Sequence, residues 1–352
     1  MTDIYSFAKR VAVAAFIVLL VVSAFYMLGK HGYFFLLVFA GILIGVLFAG
    51  VAEWFEKKFG LKHGLALFLS IFLVFGLLIG AIVLVAPTIS KQAQQMQTTL
   101  PEAIDKVQGW LDNLGFGQQL IDKMPNNLNE AMGGQDSIFS RVSSIFSKTL
   151  SALADILIVL ITAIFLAANP SLYTVGFSKL FPVRHRSRVT EVLGKCYQTL
   201  KLWLMAMLIA MTIIGVSTAI GYSLIGMPLA LALALIAFLF AFIPNIGPWI
   251  AAIPAAMVGL TVSPQMALYA MLLYGGIQLI ESYVVTPLIF QKTVDLPPAL
   301  LLFFQVLLGI LHGALGLLLA APLLAVLMVL VKELFVKDVI EHRPQQDHTS
   351  NT

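Results

Sequence analysis

Residues 240–255 read FAFIPNIGPWIAAIPA, an apolar stretch that carries three prolines, a glycine and an asparagine. Proline lacks a backbone N–H and its ring collides with the preceding turn, so Pro244 and Pro248 interrupt any helix running through them. Where such a break lies at membrane depth, its freed amide and carbonyl groups are tolerated only if protein buries them or they line a cavity. The stretch is therefore either a turn packed inside a helical bundle or part of the wall of a site.

The surrounding sequence puts the break in a membrane. The chain has 352 residues, 60% hydrophobic and 11% charged, whereas a soluble domain carries roughly 25% charge; its mean hydropathy is +0.97. Apolar runs at 11–28, 34–51, 65–86, 150–168, 202–224 and 265–287 each approach or exceed the ~20 residues that cross a hydrocarbon core of about 30 Å. The expected fold class is all-α and polytopic. The first run follows Lys9 and Arg10 but is longer than the roughly 7–15 residues of a signal-peptide core and lacks a small-x-small cleavage site, so it reads as a retained first helix. The single cysteine, Cys196, excludes an internal disulfide and any cysteine-rich metal site. The isoelectric point near 9.1 is read as a topology signal, and no nucleic-acid partner is expected.

Basic residues set the expected orientation. Lys9 and Arg10 precede the first run and Lys57, Lys58 and Lys62 follow the second, while 169–201 carries Lys179, Arg184, Arg186, Arg188, Lys195 and Lys201 against the one acid Glu191. If every run crosses once, all of these share one side, which the positive-inside rule makes cytoplasmic, together with both chain ends. Segment 87–148 then lies outside. Its apolar residues recur at helical spacing (Leu100, Ile104, Val107, Leu111; Ile138, Val142, Ile145, Phe146) between breaks at Pro101, Gly115, Pro125 and Gly133, which predicts short amphipathic helices forming a cap, a lid or an oligomer contact. The chain divides into a three-helix region (1–86), this extramembrane segment (87–148), a fourth helix with a basic cytoplasmic loop (149–201), a core (202–337) and a disordered polar tail (338–352).

Two apolar stretches within the core are too long for one span and are broken near their centres. One is 228–262, interrupted at Pro244, Asn245, Gly247 and Pro248; the other is 298–331, interrupted around His312, Gly313 and Gly316. Each half rises some 23 Å at about 1.5 Å per residue, short of a crossing. Re-entrant hairpins and pairs of short complete spans both fit the charge pattern. Shifted by 69 positions, Pro228, Ala230, Leu231, Gly247, Ala251 and Ala252 match Pro297, Ala299, Leu300, Gly316, Ala320 and Ala321. With the units entering from opposite sides, this is the pattern of an inverted repeat.

Candidate site residues cluster at these breaks. Pro244 and Pro248 leave the carbonyls of Phe240 and Pro244 without their helical donors, and these groups, with Gly247 at the turn and the Asn245 amide, form a candidate polar subsite. Glu281 lies inside the 265–287 span with Gln278 one turn earlier and Ser282 beside it. An acid at mid-membrane costs about 2.5–3.5 kcal/mol on insertion scales and marks a function or a partner; near the cytoplasmic end it also has the option of snorkelling to water. Gln305 and His312 belong to the second interrupted stretch and are candidates to face the first. Asp155 reads as interfacial, and Gly41, Gly45 and Gly50 as close helix packing. HExxH, GxxxxGK[ST] and GxSxG are absent, and the six histidines form no ligand spacing, so no enzyme, cofactor or metal site is expected.

Three stretches, FIPNIGPWIAAIP (242–254), QLIESYVVTPLI (278–289) and VDLPPALLLFFQVLLGILHGALGLLLAAPLLAVL (294–327), resemble in order and spacing those of the autoinducer-2 exporter family of bacterial membrane proteins. The resemblance covers essentially the whole chain. It implies about eight membrane segments, an inner-membrane location in contact with lipid, a homo-oligomer, and export of small solutes, with autoinducer-2 associated with some members and cation/proton antiport with others. Many relatives follow the proline of the second motif with arginine, where this chain has Leu288 after Pro287, so no arginine role carries over. The expected function is secondary transport through a site at the two breaks, with Glu281 changing charge state and Asn245 contacting the solute. A passive oligomeric pore, a cation/proton antiporter and a structural partner without transport are the alternatives.

Overall fold

The computed structural model describes residues 2–77, 79–80, 83, 154–290 and 296–341. All regular structure among the described residues is helical. The predicted amphipathic helices of 87–148 and residues 342–352 of the tail lie outside them.

Helix α1 (Thr2–Phe59) carries the first two apolar runs on two limbs that meet at His31, whose backbone (φ −120°, ψ 24°) leaves the helical region. Gly60, at φ 66°, ends it by returning its N–H to the Glu56 carbonyl at 2.8 Å, the usual left-handed helix stop. Helix α2 (His63–Leu77) follows, then α3 (Ala154–Ala168), which turns by 88° into α4 (Pro170–Ser178). Helix α5 (Val183–Leu224) is long; α6 (Ala230–Phe240) and α7 (Gly247–Val262) are short. Ser263 caps α8 (Pro264–Ile280) by accepting the Met266 N–H at 3.0 Å, and α8 continues through a π-helical stretch (Glu281–Val285) into α9 (Thr286–Phe290). Helix α10 (Pro298–Leu330) ends the core and winds on as a π-helix over Val331–Ile340.

Among the described residues, four helices are long and apolar enough to cross a membrane: Gly29–Phe59, Val183–Leu224, Pro264–Ile289 and Pro298–Asp338. The bent pair α3–α4 brings the number to five. Helices α6 and α7, with 11 and 16 residues, are shorter than the ~20 of a full span.

The basic stretch 169–201, expected to be a loop, is helical over most of its length, and α5 starts at Val183. Ion pairs one turn apart, Arg188–Glu191 at 2.9 Å and Glu191–Lys195 at 2.6 Å, support a helix there. The stretch also has partners far along the chain. Buried Glu333 accepts from Arg188 at 2.9 Å, Lys195 at 2.6 Å and Lys337 at 2.7 Å, and Arg188 reaches Asp338 at 3.0 Å. Glu53 of α1 pairs with Lys201 and accepts from the Tyr197 hydroxyl at 2.5 Å. His63 meets Glu56 at 2.7 Å. The C-terminal end of α1, the start of α2, the start of α5 and the π-helical end of the chain thus share one charged end of the bundle.

Above that end the interior is apolar. Leu36, Leu43 and Leu47 of α1 pack with Trp203 and Met207 of α5 and Leu301, Leu319 and Leu324 of α10. Phe48 and Ala52 meet Ala66 of α2 and Ala163 and Ala167 of α3. Gly41 and Gly45 allow the α1–α3 approach: an added Cβ would stand 2.6 Å from the Thr162 Cβ and 3.1 Å from the Ala163 carbonyl oxygen, respectively. Outward-facing Phe72, Leu272, Phe303 and Ile310 are exposed, as lipid-facing side chains are.

Candidate functional site

The FAFIPNIGPWIAAIPA stretch is the tip of a helical hairpin. Helix α6 ends at Phe240, residues 241–246 turn, and α7 returns packed against it. Asn245 takes a left-handed conformation (φ 64°), which asparagine tolerates better than most residues. Pro248 occupies the first turn of α7, where a missing N–H has no helical acceptor to forfeit. Gly247 is buried where the limbs touch: an added Cβ would stand 2.7 Å from the Phe240 carbonyl carbon.

The carbonyls that the sequence leaves without helical donors find them inside the protein. The Phe240 carbonyl accepts from the Ile243 N–H at 2.9 Å, and that of Pro244 from the Ile246 N–H at 2.8 Å and from Gln305 Nε2 at 2.8 Å. Gln305, 0% exposed, thereby ties the second interrupted stretch to the tip of the first.

The second stretch also reverses. Gly313 (φ 64°, ψ −144°) breaks α10, and an added Cβ at Gly316 would stand 2.8 Å from the Leu308 carbonyl carbon. A straight helix would separate residues 308 and 316 by about 12 Å along its axis. Gly247 and Gly316, paired in the sequence by the 69-residue shift, thus do the same steric job at two tips. The tips point to opposite ends of the bundle. Phe242 of the first stacks edge-on against Trp203 at 5.6 Å, two residues from the charged-end Lys201. His312 of the second lies against Gly32, where an added Cβ would come 2.6 Å from its ring; Gly32 is about 30 Å along α1 from Glu53 at ~1.5 Å per residue.

A cavity of about 920 Å³ opens beside the first tip. Pro244, Asn245, Pro248 and Trp249 form one wall, Trp203, Met207 and Ile214 of α5 another, and Tyr274, Gln278, Glu281, Ser282 and Thr286 a third; Pro297, Pro298 and Leu301 complete it. The structure therefore brings together Pro244, Asn245, Pro248, Gln278 and Glu281. Gly247 sits in the turn, Gln305 holds the turn from outside the lining, and His312 lies at the other tip, away from the cavity.

Thr286 and the α5 wall were not singled out in the sequence. Glu281 opens the π-helical stretch and accepts from the Thr286 hydroxyl at 2.6 Å and from the Ser282 hydroxyl at 3.1 Å. The wider π turn brings position i+5 under position i, so Thr286 faces Glu281 in a way that α-helical spacing does not anticipate. Asp155 accepts from the Tyr33 hydroxyl at 2.5 Å. No group of three or more metal-ligating side chains occurs among the described residues.

The profile of the AI-2E family transporters matches residues 12–335. The chain belongs to this family. Its AI-2E relatives include "Putative transport protein YueF" of Bacillus subtilis (strain 168), 26% identical over 304 residues that cover 83% of this chain and 82% of the relative. "Putative transport protein YrrI" of the same organism is 26% identical over 334 residues, 90% of this chain and 93% of the relative. "Putative transport protein MT0215" of Mycobacterium tuberculosis (strain CDC 1551 / Oshkosh) is 25% identical over 308 residues, covering 86% and 84%. An AI-2E chain with apolar helices of spanning length is a membrane protein of a transport family. The lined cavity and both hairpins fall within the residues that the family profile matches.

Proposed function

We propose that this AI-2E chain is a secondary transporter that exports a small polar solute through the cavity beside the first hairpin, coupled to a proton or cation gradient. The observation that carries the reading is the cavity's composition: a mainly apolar chamber of about 920 Å³ into which Asn245, Gln278, Glu281, Ser282 and Thr286 bring a few polar groups, the usual make-up of a small-molecule site. Glu281 carries the coupling ion, and Asn245 at the broken tip contacts the solute. Autoinducer-2 is the candidate solute that the family description points to. The opposed hairpins form an inverted repeat that rocks in alternating access, as in other secondary transporters. The charged end, with Lys57, Lys58, Arg188 and Lys201, faces the cytoplasm of a bacterial inner membrane, both termini lie on that side, and the working unit is a homo-oligomer.

Vesicles of the reconstituted protein, loaded with the pH dye pyranine, test the coupling. A pulse of autoinducer-2 or sodium chloride is expected to change the luminal pH with the wild-type chain and not with Glu281→Gln, at equal protein content. A full pH response in Glu281→Gln sinks the coupling role. Unsaturating solute flux with no pH response in the wild-type chain identifies a passive pore.

A further inference from the structure

Beyond the cavity, away from the charged end, α5 turns toward α8 two buried polar side chains that the transport reading leaves unused. Thr218 (0% exposed) and Tyr222 (1%) lie one turn apart on α5. Tyr274 and Gln278 lie one turn apart on α8, with Glu281 the next turn on. The two rows face each other. An added Cβ on Gly221 would stand 2.5 Å from Leu273 Cδ2, which sets Tyr222 and Tyr274 at one level of the same buried cluster. Ile214 of α5 and Gln278 of α8 both line the cavity, so the helices run antiparallel from the Gly221–Leu273 approach and Thr218 falls between those two levels. Tyr274 lies beside the Gln278 side chain and near Glu281.

Two hydroxyls of this niche, those of Thr218 and Tyr222, are buried with no hydrogen-bond partner among the described residues, and Gln278 Nε2 has only the Tyr274 hydroxyl beside it. Native interiors seldom leave such groups unpaired, and ordered water is the usual partner where direct ones are missing. Unpaired hydroxyls buried between two helices, the nearer of them one turn beyond the cavity-lining Ile214, describe a hydrated site better than a packing fault.

We propose that this niche holds a chain of ordered waters from Tyr222 to Glu281, and that the chain is the route by which Glu281 exchanges a proton with the side of the membrane opposite the charged end. The second half rests on the coupling role given to Glu281 above. In each relay step a water accepts one proton from one neighbour and passes one to the next, so one proton moves, nothing is oxidised or reduced, and the Glu281 carboxyl gains or loses the net charge. Thr218 and Tyr222 are positioning residues: each hydroxyl both accepts and donates, and so holds the waters in line.

Hydroxyl-radical labelling of the full chain in lipid nanodiscs, read by mass spectrometry, tests the water chain without any solute. Tyr222 is expected to be oxidised well above Phe48, which is as buried but carries no polar atom to hold a water. Tyr222 as inert as Phe48 overturns the proposal whatever the flux. The pyranine assay tests the route. Thr218→Val with Tyr222→Phe is expected to slow the luminal pH response about tenfold by removing two water ligands, and Thr218→Ser, which keeps its hydroxyl, to retain the wild-type rate. A wild-type rate in the double variant overturns the route, as does a Thr218→Ser rate as low as that of Thr218→Val. Because labelling is read apart from transport, a normal pH response in Glu281→Gln together with oxidised Tyr222 refutes the role of Glu281 and leaves the waters standing.

Discussion

Replacing Gly247 with alanine tests whether the first hairpin closes as tightly as the structure has it. The added Cβ would stand 2.7 Å from the carbonyl carbon of Phe240 and nearer still to its oxygen, where ordinary contact begins near 3.4 Å. The obstacle is backbone, which has no rotamer to yield, so the limbs must part by at least roughly 0.7 Å, and overpacking of this kind typically costs about 1–3 kcal/mol. Alanine's helical preference over glycine offsets at most ~1 kcal/mol of that. Gly316→Ala meets the Leu308 carbonyl in the same way at the other tip and is expected to lose a similar amount. Gly276 of α8 has nothing within 4 Å of an added Cβ, so Gly276→Ala keeps only the helical gain of up to ~1 kcal/mol. Titration of the purified chain with dodecyl sulfate, followed by tryptophan fluorescence, ranks the variants, because Trp203 and Trp249 line the cavity beside the first tip. The expected order is Gly276→Ala at or above wild type, with Gly247→Ala and Gly316→Ala below it by about 1–2 kcal/mol. Equal stability of Gly247→Ala and Gly276→Ala refutes the close approach and the hairpin geometry with it.

Asn245 separates backbone from side chain: glycine suits φ 64° without strain, whereas alanine there costs roughly 1 kcal/mol. Asn245→Gly is therefore expected to fold as wild type yet lose solute-driven pH response, and full response in that variant removes the amide from the site. Gln305→Leu gives up the bond to the Pro244 carbonyl, worth about 0.5–1.5 kcal/mol, but also removes an unpaired buried Oε1 that costs about 1–3. Its melting temperature should equal or exceed wild type while the freed tip slows transport; a large drop in melting temperature refutes that account of the unpaired atom. Glu333→Gln leaves Arg188, Lys195 and Lys337 around a neutral amide. A lower melting temperature that salt partly restores is expected, since mobile ions screen the like charges, and a loss larger at high salt than at low contradicts the ionic origin.

Several features were legible in the sequence because they depend on chain-local physics. Membrane class follows from apolar runs that water does not solvate. The break at Pro244–Pro248 follows from a missing N–H, and the second break from glycines, of which Gly313 takes a conformation that other residues avoid. Gly247 and Gly316 mark the two tips because each close approach demands an absent side chain. Other features were not legible. The basic stretch 169–201 read as a loop because its acids, Glu333 and Asp338, lie about 140 residues away. Thr286 escaped notice because a π turn changes the period on which helical faces are counted.

The sequence by itself determined that the chain is helical, lives in a membrane and breaks twice in its second half, since hydropathy, proline and glycine act within a few residues of themselves. Tertiary structure decided what the breaks do. It gave the Pro244 carbonyl to Gln305, sent His312 to the tip remote from the cavity, and set Asn245 beside Glu281 across a shared space. Those outcomes depend on which helix faces pack together, and a helix presents nearly the same apolar surface all round when its surroundings are lipid, so its pattern does not name the partner. Gly221, Thr218 and Tyr222 show the consequence: they are unremarkable along α5, and only the approach of α8 turns them into one wall of a polar niche.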